Sequence, residues 1–181
     1  MMQPELYISA QAVFLRKLAP EDADKVFLMS IENSMKTWIP DQVYRDATHA
    51  GEVLEFLISQ YHSNISPYQE PLVLGVCLAE AGELIGHVGI SPLQEEVEIG
   101  YAIEERYHGK GYATMAVRAM CDWALAVFSL PRLLGVVAAE NHSSCRVLEK
   151  VGFRLLCEEM GKMHGVERLL RKYEIVSADL T

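Results

Sequence analysis

Hydrophobic positions along the chain switch between a period of two and a period of three to four, and the switches mark out its elements. Over residues 12–18, Val13, Leu15 and Lys17 alternate with Phe14, Arg16 and Leu18, which predicts a first strand. Pro20, Glu21 and Asp22 then place a proline and two acids at a helix start, followed by Ala23, Val26, Phe27 and Met29. A second helix is predicted over residues 48–61, with Val53, Leu54, Phe56, Leu57 and Ile58 on its apolar side. Trp38, Ile39 and Pro40 between them fit neither period, and the polar residues 62–71, with two prolines, read as a surface loop. Strand patterns at 72–79, 84–90 and 97–103, the first two joined by an Ala81-Gly82 turn, predict an antiparallel meander. A long helix follows over residues 110–128, with Ala113, Ala116, Val117, Met120, Cys121, Ala124, Val127 and Phe128 on one side and Thr114, Arg118 and Asp122 opposite, the last two as an exposed pair. Pro131 stops it. Residues 133–139 form a buried strand, 143–151 a short helix ended by Gly152 in a left-handed conformation, and two more strands run from Phe153 and over 166–176.

At 181 residues and 50% hydrophobic content the chain can bury one core and is short for two, so a single domain over residues 1–181 is expected. No repeat, low-complexity tract or linker divides it. The longest apolar run falls far below the roughly 20 residues of a membrane span, and residues 1–10 carry no signal-like hydrophobic stretch. A cytoplasmic protein with no membrane partner is expected. Cys77, Cys121, Cys145 and Cys157 are scattered without metal-ligand or disulfide spacing, so they read as buried thiols and no metal is expected. A formal net charge of −9 disfavours nucleic acid and suits a cationic partner such as an amine, although solubility alone also accounts for it.

The chemistry concentrates where the strand at 97–103 hands over to the long helix, at Arg106-Tyr107-His108-Gly109-Lys110-Gly111-Tyr112-Ala113. Two glycines around one lysine let successive N–H groups converge on an anion at a helix start, where the first four amides have no intrahelical partner. A tight strand-to-helix turn is the simpler use of such a pair. The segment is neither a P-loop nor a dinucleotide fingerprint, since Thr114 stands where the latter needs a third small residue. Placement gives the loop its weight, because the next strand leads into Asn141-His142-Ser143-Ser144-Cys145-Arg146-Val147-Leu148-Glu149-Lys150-Val151-Gly152-Phe153.

Glu98-Ile99-Gly100-Tyr101-Ala102-Ile103 with Arg106-x-x-Gly109-x-Gly111-Tyr112-Ala113 resembles motif A of the GNAT (GCN5-related) N-acetyltransferases, and the segment from Asn141 to Phe153 resembles their motif B. With Leu15-Arg16-Lys17-Leu18-x-Pro20-Glu21-Asp22-Ala23 near the start, the chain is most similar to the RimJ/RimL-like branch. The resemblance implies an α+β fold, an α/β sandwich with a mixed, mostly antiparallel sheet of about six to seven strands, flanked by about four helices and splayed between its fourth and fifth strands. It implies that Arg106, Gly109, Lys110, Gly111, Tyr112 and Ala113 hold the pyrophosphate of acetyl-CoA, and that Tyr101, Ala102 and Ile103 pair by backbone with its pantetheine arm. Asn141 would contact that arm, while Arg146 and Lys150 would lie near the nucleotide end.

Acetyl transfer to an amine needs a neutral nitrogen, a polarised carbonyl and a stabilised leaving thiolate. Strand alternation sets Glu96, Glu98, Gly100 and Ala102 on the face opposite Val97, Ile99, Tyr101 and Ile103, leaving open space beside Glu98. The resemblance makes Glu98 the base, commonly acting through water, and leaves Ser144 or water to serve the departing sulfur, since no tyrosine stands at Leu148 to Val151. Asn141, Ser143 and Ser144 also suit helix capping, and Glu98 alone would pass for a solvated strand carboxylate. Glu95, Glu96 and Glu98 could draw in a cation or be simply solvated. His49, His62, His87 and His164 are expected to be surface or structural, and neither His108 nor His142 is required by the family pattern. An α-amine, with a pKa near 7.7–8.0, is roughly a tenth to a sixth neutral at pH 7, against about one in 2,500 for a lysine-like amine. A protein or peptide N-terminus, a polyamine and another small amine therefore all stay open as acceptor, and a monomer or homodimer as the assembly. A non-catalytic acyl-CoA-binding or sensor domain of the same fold is the alternative, and a nucleotide-binding module unrelated to CoA a third possibility.

Overall fold

The computed structural model describes residues 6–62 and 64–177, so the ends of the expected 1–181 unit, part of the 1–10 segment and one residue of the expected loop at 62–71 lie outside the described residues. Eight strands, β1 (Tyr7–Ala10), β2 (Val13–Lys17), β3 (Leu72–Leu78), β4 (Leu84–Leu93), β5 (Glu96–Ile103), β6 (Arg132–Ala138), β7 (Arg154–Met163) and β8 (Val166–Val176), form one sheet in the order β1-β2-β3-β4-β5-β6-β8-β7. All neighbours are antiparallel except β5 and β6. Five α-helices accompany them: α1 (Ala23–Ser30), α2 (Asn33–Trp38), α3 (Ala47–Ser59), α4 (Tyr112–Val127) and α5 (His142–Val151).

The expected class is correct and the count is one strand and one helix larger. The added strand is β1, whose four residues are too few to show a period; it is held by a tight turn at Gln11 (φ 61°) and by Tyr7 stacking on Phe14 at 5.0 Å between ring centroids. The added helix is α2, six residues long and buried only at Met35, so its pattern carried no amphipathic signal. With β1 counted, the splay expected between the fourth and fifth strands falls between β5 and β6.

Alternation decides the layers. Val13, Leu15, Leu72, Leu74, Val76, Ile99 and Ile103 join Ala116, Val117, Met120, Ala124, Leu148 and Val151 in one core, so α4 and α5 cover that face. Phe14, Val73 and Cys77 turn the other way, toward Met29 of α1 and Leu54 and Leu57 of α3. Three of the four cysteines are buried as expected; Cys157 is exposed, because β7 is an edge strand with solvent on both faces for most of its length.

Candidate active site

The parallel junction of β5 and β6 narrows to a single bridge, Glu98 opposite Leu134. Along the rest of β5 the ladder to β4 is complete, from Gly86 opposite Ile103 to Leu93 opposite Glu96, while the edge facing β6 is left without a strand partner beyond Glu98. Unpaired strand N–H and C=O groups are ready to bind an extended chain. Tyr101, Ala102 and Ile103 lie on this open stretch. Its closed end is tied by Arg132, which donates to both carboxylate oxygens of Glu96 and lies 3.1 Å from Glu174 on β8. Glu96 is thus already matched to a cation and is not an unpaired attractor, a correction to the sequence-based option for it.

The open end of the cleft leads into the glycine loop. Gly109 and Gly111 take φ values of +74° and +81°, the second as the N-cap of α4, so the helix starts at Tyr112, two residues later than its apolar pattern suggests. Among the described residues the N–H groups of Gly109, Lys110 and Gly111 donate to no backbone carbonyl, and the first bond of the helix is Met115 N–H to Gly111 O at 3.1 Å. The amides of Tyr112 and Ala113 belong to the unpartnered first turn. Unpartnered amides at a helix start are the donors that an anion can use. The Arg106 side chain is turned away from them, to Glu83 and to Glu104 at 2.6 Å, and Lys25 meets the same two carboxylates at 3.2 and 2.6 Å. Two cations thus balance two anions, which leaves Lys110, exposed above the Tyr107 ring at 5.2 Å, to supply the loop's positive side chain. His108 Nε2–H donates to Ile103 O at 2.6 Å and fixes the strand-to-loop corner. A groove of about 730 Å³ runs from Gly111 past Thr114, Met115 and Arg118 to Lys150. Arg118 donates to Lys150 O at 2.6 Å, so it caps α5 as well as acting electrostatically on Asp122 one turn along α4. Arg146 and Lys150 stand exposed on α5.

The two faces of β5 differ as its alternation requires. On the face of α1 and α3 lie Glu98, Gly100 and Ala102, directly opposite Ser91, Gly89 and His87 of β4. A Cβ placed at Gly100 would meet nothing within 4 Å, so the space beside Glu98 is open. Burial raises the pKa of Glu98 above the usual carboxylate value, and His164 partly opposes the shift. His164, at the β7–β8 turn, touches Asp41 (Nδ1 to Oδ2, 2.5 Å), which brings a hairpin tip and the turn after α2 together near Glu98. Close to this wall, Arg168 stacks on Trp38 at 5.7 Å and pairs with Glu140 at 3.3 Å. His87 is pushed down to about 4 by burial, so its imidazole is neutral at physiological pH.

On the opposite face, Asn141 caps α5 by accepting from Ser144 N–H at 3.2 Å, the structural role open to it from sequence. Ser144 does not cap. Its Oγ lies 2.8 Å from the Tyr101 hydroxyl, which is also within hydrogen-bond distance of Ser144 O at 3.0 Å. Leu148 and Val151 are buried in the core.

A family model for the acetyltransferase (GNAT) domain matches residues 12–154. The chain belongs to the GNAT acetyltransferases. It is 28% identical over 152 residues to the spermidine N(1)-acetyltransferase of Escherichia coli K12, covering 84% of this chain and 78% of the relative. The fold matches the solved ribosomal-protein-S5-alanine acetyltransferase of Vibrio fischeri with a TM-score of 0.81 at 19% identity, over 98% of this chain and 100% of that one. It also matches RimL, the ribosomal L7/L12 alpha-N-protein acetyltransferase in complex with coenzyme A, with a TM-score of 0.80 at 13% identity, over 94% and 98% of the two chains.

The GNAT cleft, its loop and the cap of α5 thus stand where motifs A and B resemble the family, and the chain is an N-acetyltransferase. Sequence reasoning missed four features of this GNAT site. The Asp41–His164 contact and the Trp38–Arg168 stack join segments 123 and 130 residues apart, which no local pattern reports. His87, expected to be surface or structural, lies on the Glu98 face, where the strand register places it opposite Ala102. The side chain of Tyr101 carries no signal of its own in the motif, yet its place in the alternation of β5 turns it toward Ser144 on α5.

Proposed function

We propose that this GNAT acetyltransferase moves the acetyl group of acetyl-CoA to a primary amine by direct attack, with Glu98 as the base, Ser144 at the leaving sulfur and the whole chain acting as one domain. The observation that carries the reading is the cleft between β5 and β6, which has a half-buried carboxylate at its closed end and a cradle of unpartnered amides at its open end. Acetyl-CoA supplies the acetyl group as a thioester. The amides of Gly109 to Ala113 and Lys110 hold its pyrophosphate, and the unpaired edge at Tyr101, Ala102 and Ile103 aligns its arm as an added strand would. Arg106 acts through its backbone, since its side chain is occupied, and Asn141 does so through the α5 cap. Arg118, Arg146 and Lys150 line the nucleotide end. The amine approaches over Gly100, its nitrogen bonds to the acetyl carbon, its proton passes to Glu98 directly or through water, and the C–S electron pair leaves on sulfur beside Ser144 Oγ.

The raised pKa of Glu98 suits this task, because a carboxylate closer to the amine in basicity accepts its proton more readily. The relatives act on spermidine and on ribosomal-protein N-termini by name, and both classes are candidate acceptors here. No metal enters the scheme. Acetyl-CoA, CoA and ATP titrations, together with thiol release on a panel of peptides and polyamines, test the reading. Acetyl-CoA should bind in preference to ATP, and Glu98→Gln should lower kcat by roughly 100-fold or more while leaving acetyl-CoA affinity within about twofold. Tight binding with no turnover on any amine would favour a sensor domain instead.

A further inference from the structure

Glu98 and Tyr101 are three positions apart on β5 and therefore face opposite ways, with the open strand edge between them. One short segment thus presents a base on one face of the sheet and a phenol on the other. The phenol meets two oxygens of the same residue, Ser144 Oγ at 2.8 Å and Ser144 O at 3.0 Å. A tyrosine hydroxyl carries one hydrogen, so two arrangements exist. If that hydrogen goes to Ser144 O, the 2.8 Å contact must be made by the hydrogen of Ser144, which is then consumed on the phenol oxygen. If it goes to Ser144 Oγ, the hydrogen of Ser144 is released to point elsewhere, and donation into Oγ strengthens it as a donor.

We propose that Tyr101 is a positioning residue for the departing sulfur: by giving its hydrogen to Ser144 Oγ, it frees the Ser144 hydrogen to bond the CoA thiolate as the C–S bond breaks. This rests on the reading of Ser144 given above. No proton is transferred in the step. The acetyl carbon keeps its new bond to nitrogen, sulfur leaves with the electron pair, and the amine proton resides on Glu98. Ser144 and Tyr101 stabilise the thiolate by a two-member chain of hydrogen bonds, each member keeping its own hydrogen. Burial raises the pKa of Tyr101, which keeps the phenol a donor throughout the working range. The backbone is already set for this, since Asn141 holds Ser144 N–H at 3.2 Å and the α5 first turn adds a positive end near the sulfur.

The test compares wild type, Tyr101→Phe, Ser144→Ala and the double variant by ultraviolet titration of the bound CoA thiol, by the split of kcat and KM, and by thermal melting. A free thiol titrates near 8.5, and the bound thiol of the wild type should titrate lower. Tyr101→Phe should raise that value by about half a unit to one unit and lower kcat by about 3- to 10-fold, with KM for acetyl-CoA within about twofold. In the Ser144→Ala background Tyr101→Phe should add nothing further to either readout. An equal penalty in both backgrounds would show that the phenol merely fills space, and an unmoved thiol titration would likewise overturn the proposal. If Ser144→Ala itself leaves kcat and the thiol titration unchanged, the role of Ser144 falls first and that of Tyr101 with it.

Discussion

Glu98, the proposed base, shows how environment changes the chemistry of an ordinary side chain. Its position on the open face could be read from the alternation of residues 96–103, and the structure repeats that alternation, with Val97, Ile99 and Ile103 buried. Its pKa could not, because the upward shift comes from burial and is partly opposed by His164, and both arise only through the fold, His164 through the β7–β8 hairpin. Gly109 and Gly111 were legible as a pair, and their positive φ values show why glycine is favoured at both. Gly109→Ala meets no atom within 4 Å, so its cost is conformational alone: about 1–2 kcal/mol of stability, read by denaturant unfolding, together with weaker acetyl-CoA binding as the cradle turns.

At the scale of elements, long periodic segments announced themselves and short ones did not. The helix α4 and the strands β3 to β6 lie within a few residues of their predicted positions, whereas β1 and α2 gain their order from partners: β2 for the first, and for the second a pair of contacts with the β5–α4 turn. There Ser34 N–H donates to Glu105 at 2.6 Å and Glu105 N–H donates to Glu32 at 3.0 Å, which links the start of α2 to the turn that leads into the glycine loop. The splay itself was implied by family resemblance and not by any periodicity, since a missing ladder leaves no mark in the sequence of either strand. Its closed end depends on Arg132, bound to Glu96 and Glu174 across three strands. Arg132→Met should let β5 and β6 part further and raise KM for acetyl-CoA several-fold, with a modest loss of melting temperature, because the ion pairs are only partly buried. Steady-state kinetics beside a thermal melt separates the two effects.

For the molecule as a whole, a net charge of −9 coexists with a cationic rim of Lys110, Arg118, Arg146 and Lys150 along the groove and α5. An anionic cosubstrate is attracted locally although the surface repels it at long range, so acetyl-CoA affinity should weaken as salt rises from low to physiological strength, as calorimetry at two salt concentrations would show. Acetyl-CoA at about 100 times its Kd should stabilise the folded chain by about 2.7 kcal/mol, a rise of roughly 5–10 °C in Tm. Among the described residues no helix is long and apolar enough to cross a membrane. The central claim is that Glu98 accepts the amine proton, and the pH dependence of single-turnover acetyl transfer, with enzyme saturated in both substrates, tests it most directly. Because burial raises the pKa of Glu98, the carboxylate is lost, and the wild-type rate should fall, as pH drops through a value above the ordinary 4.5. Glu98→Gln should give a much lower rate without that limb; a variant that keeps the wild-type rate, or the same acid limb, would contradict the account.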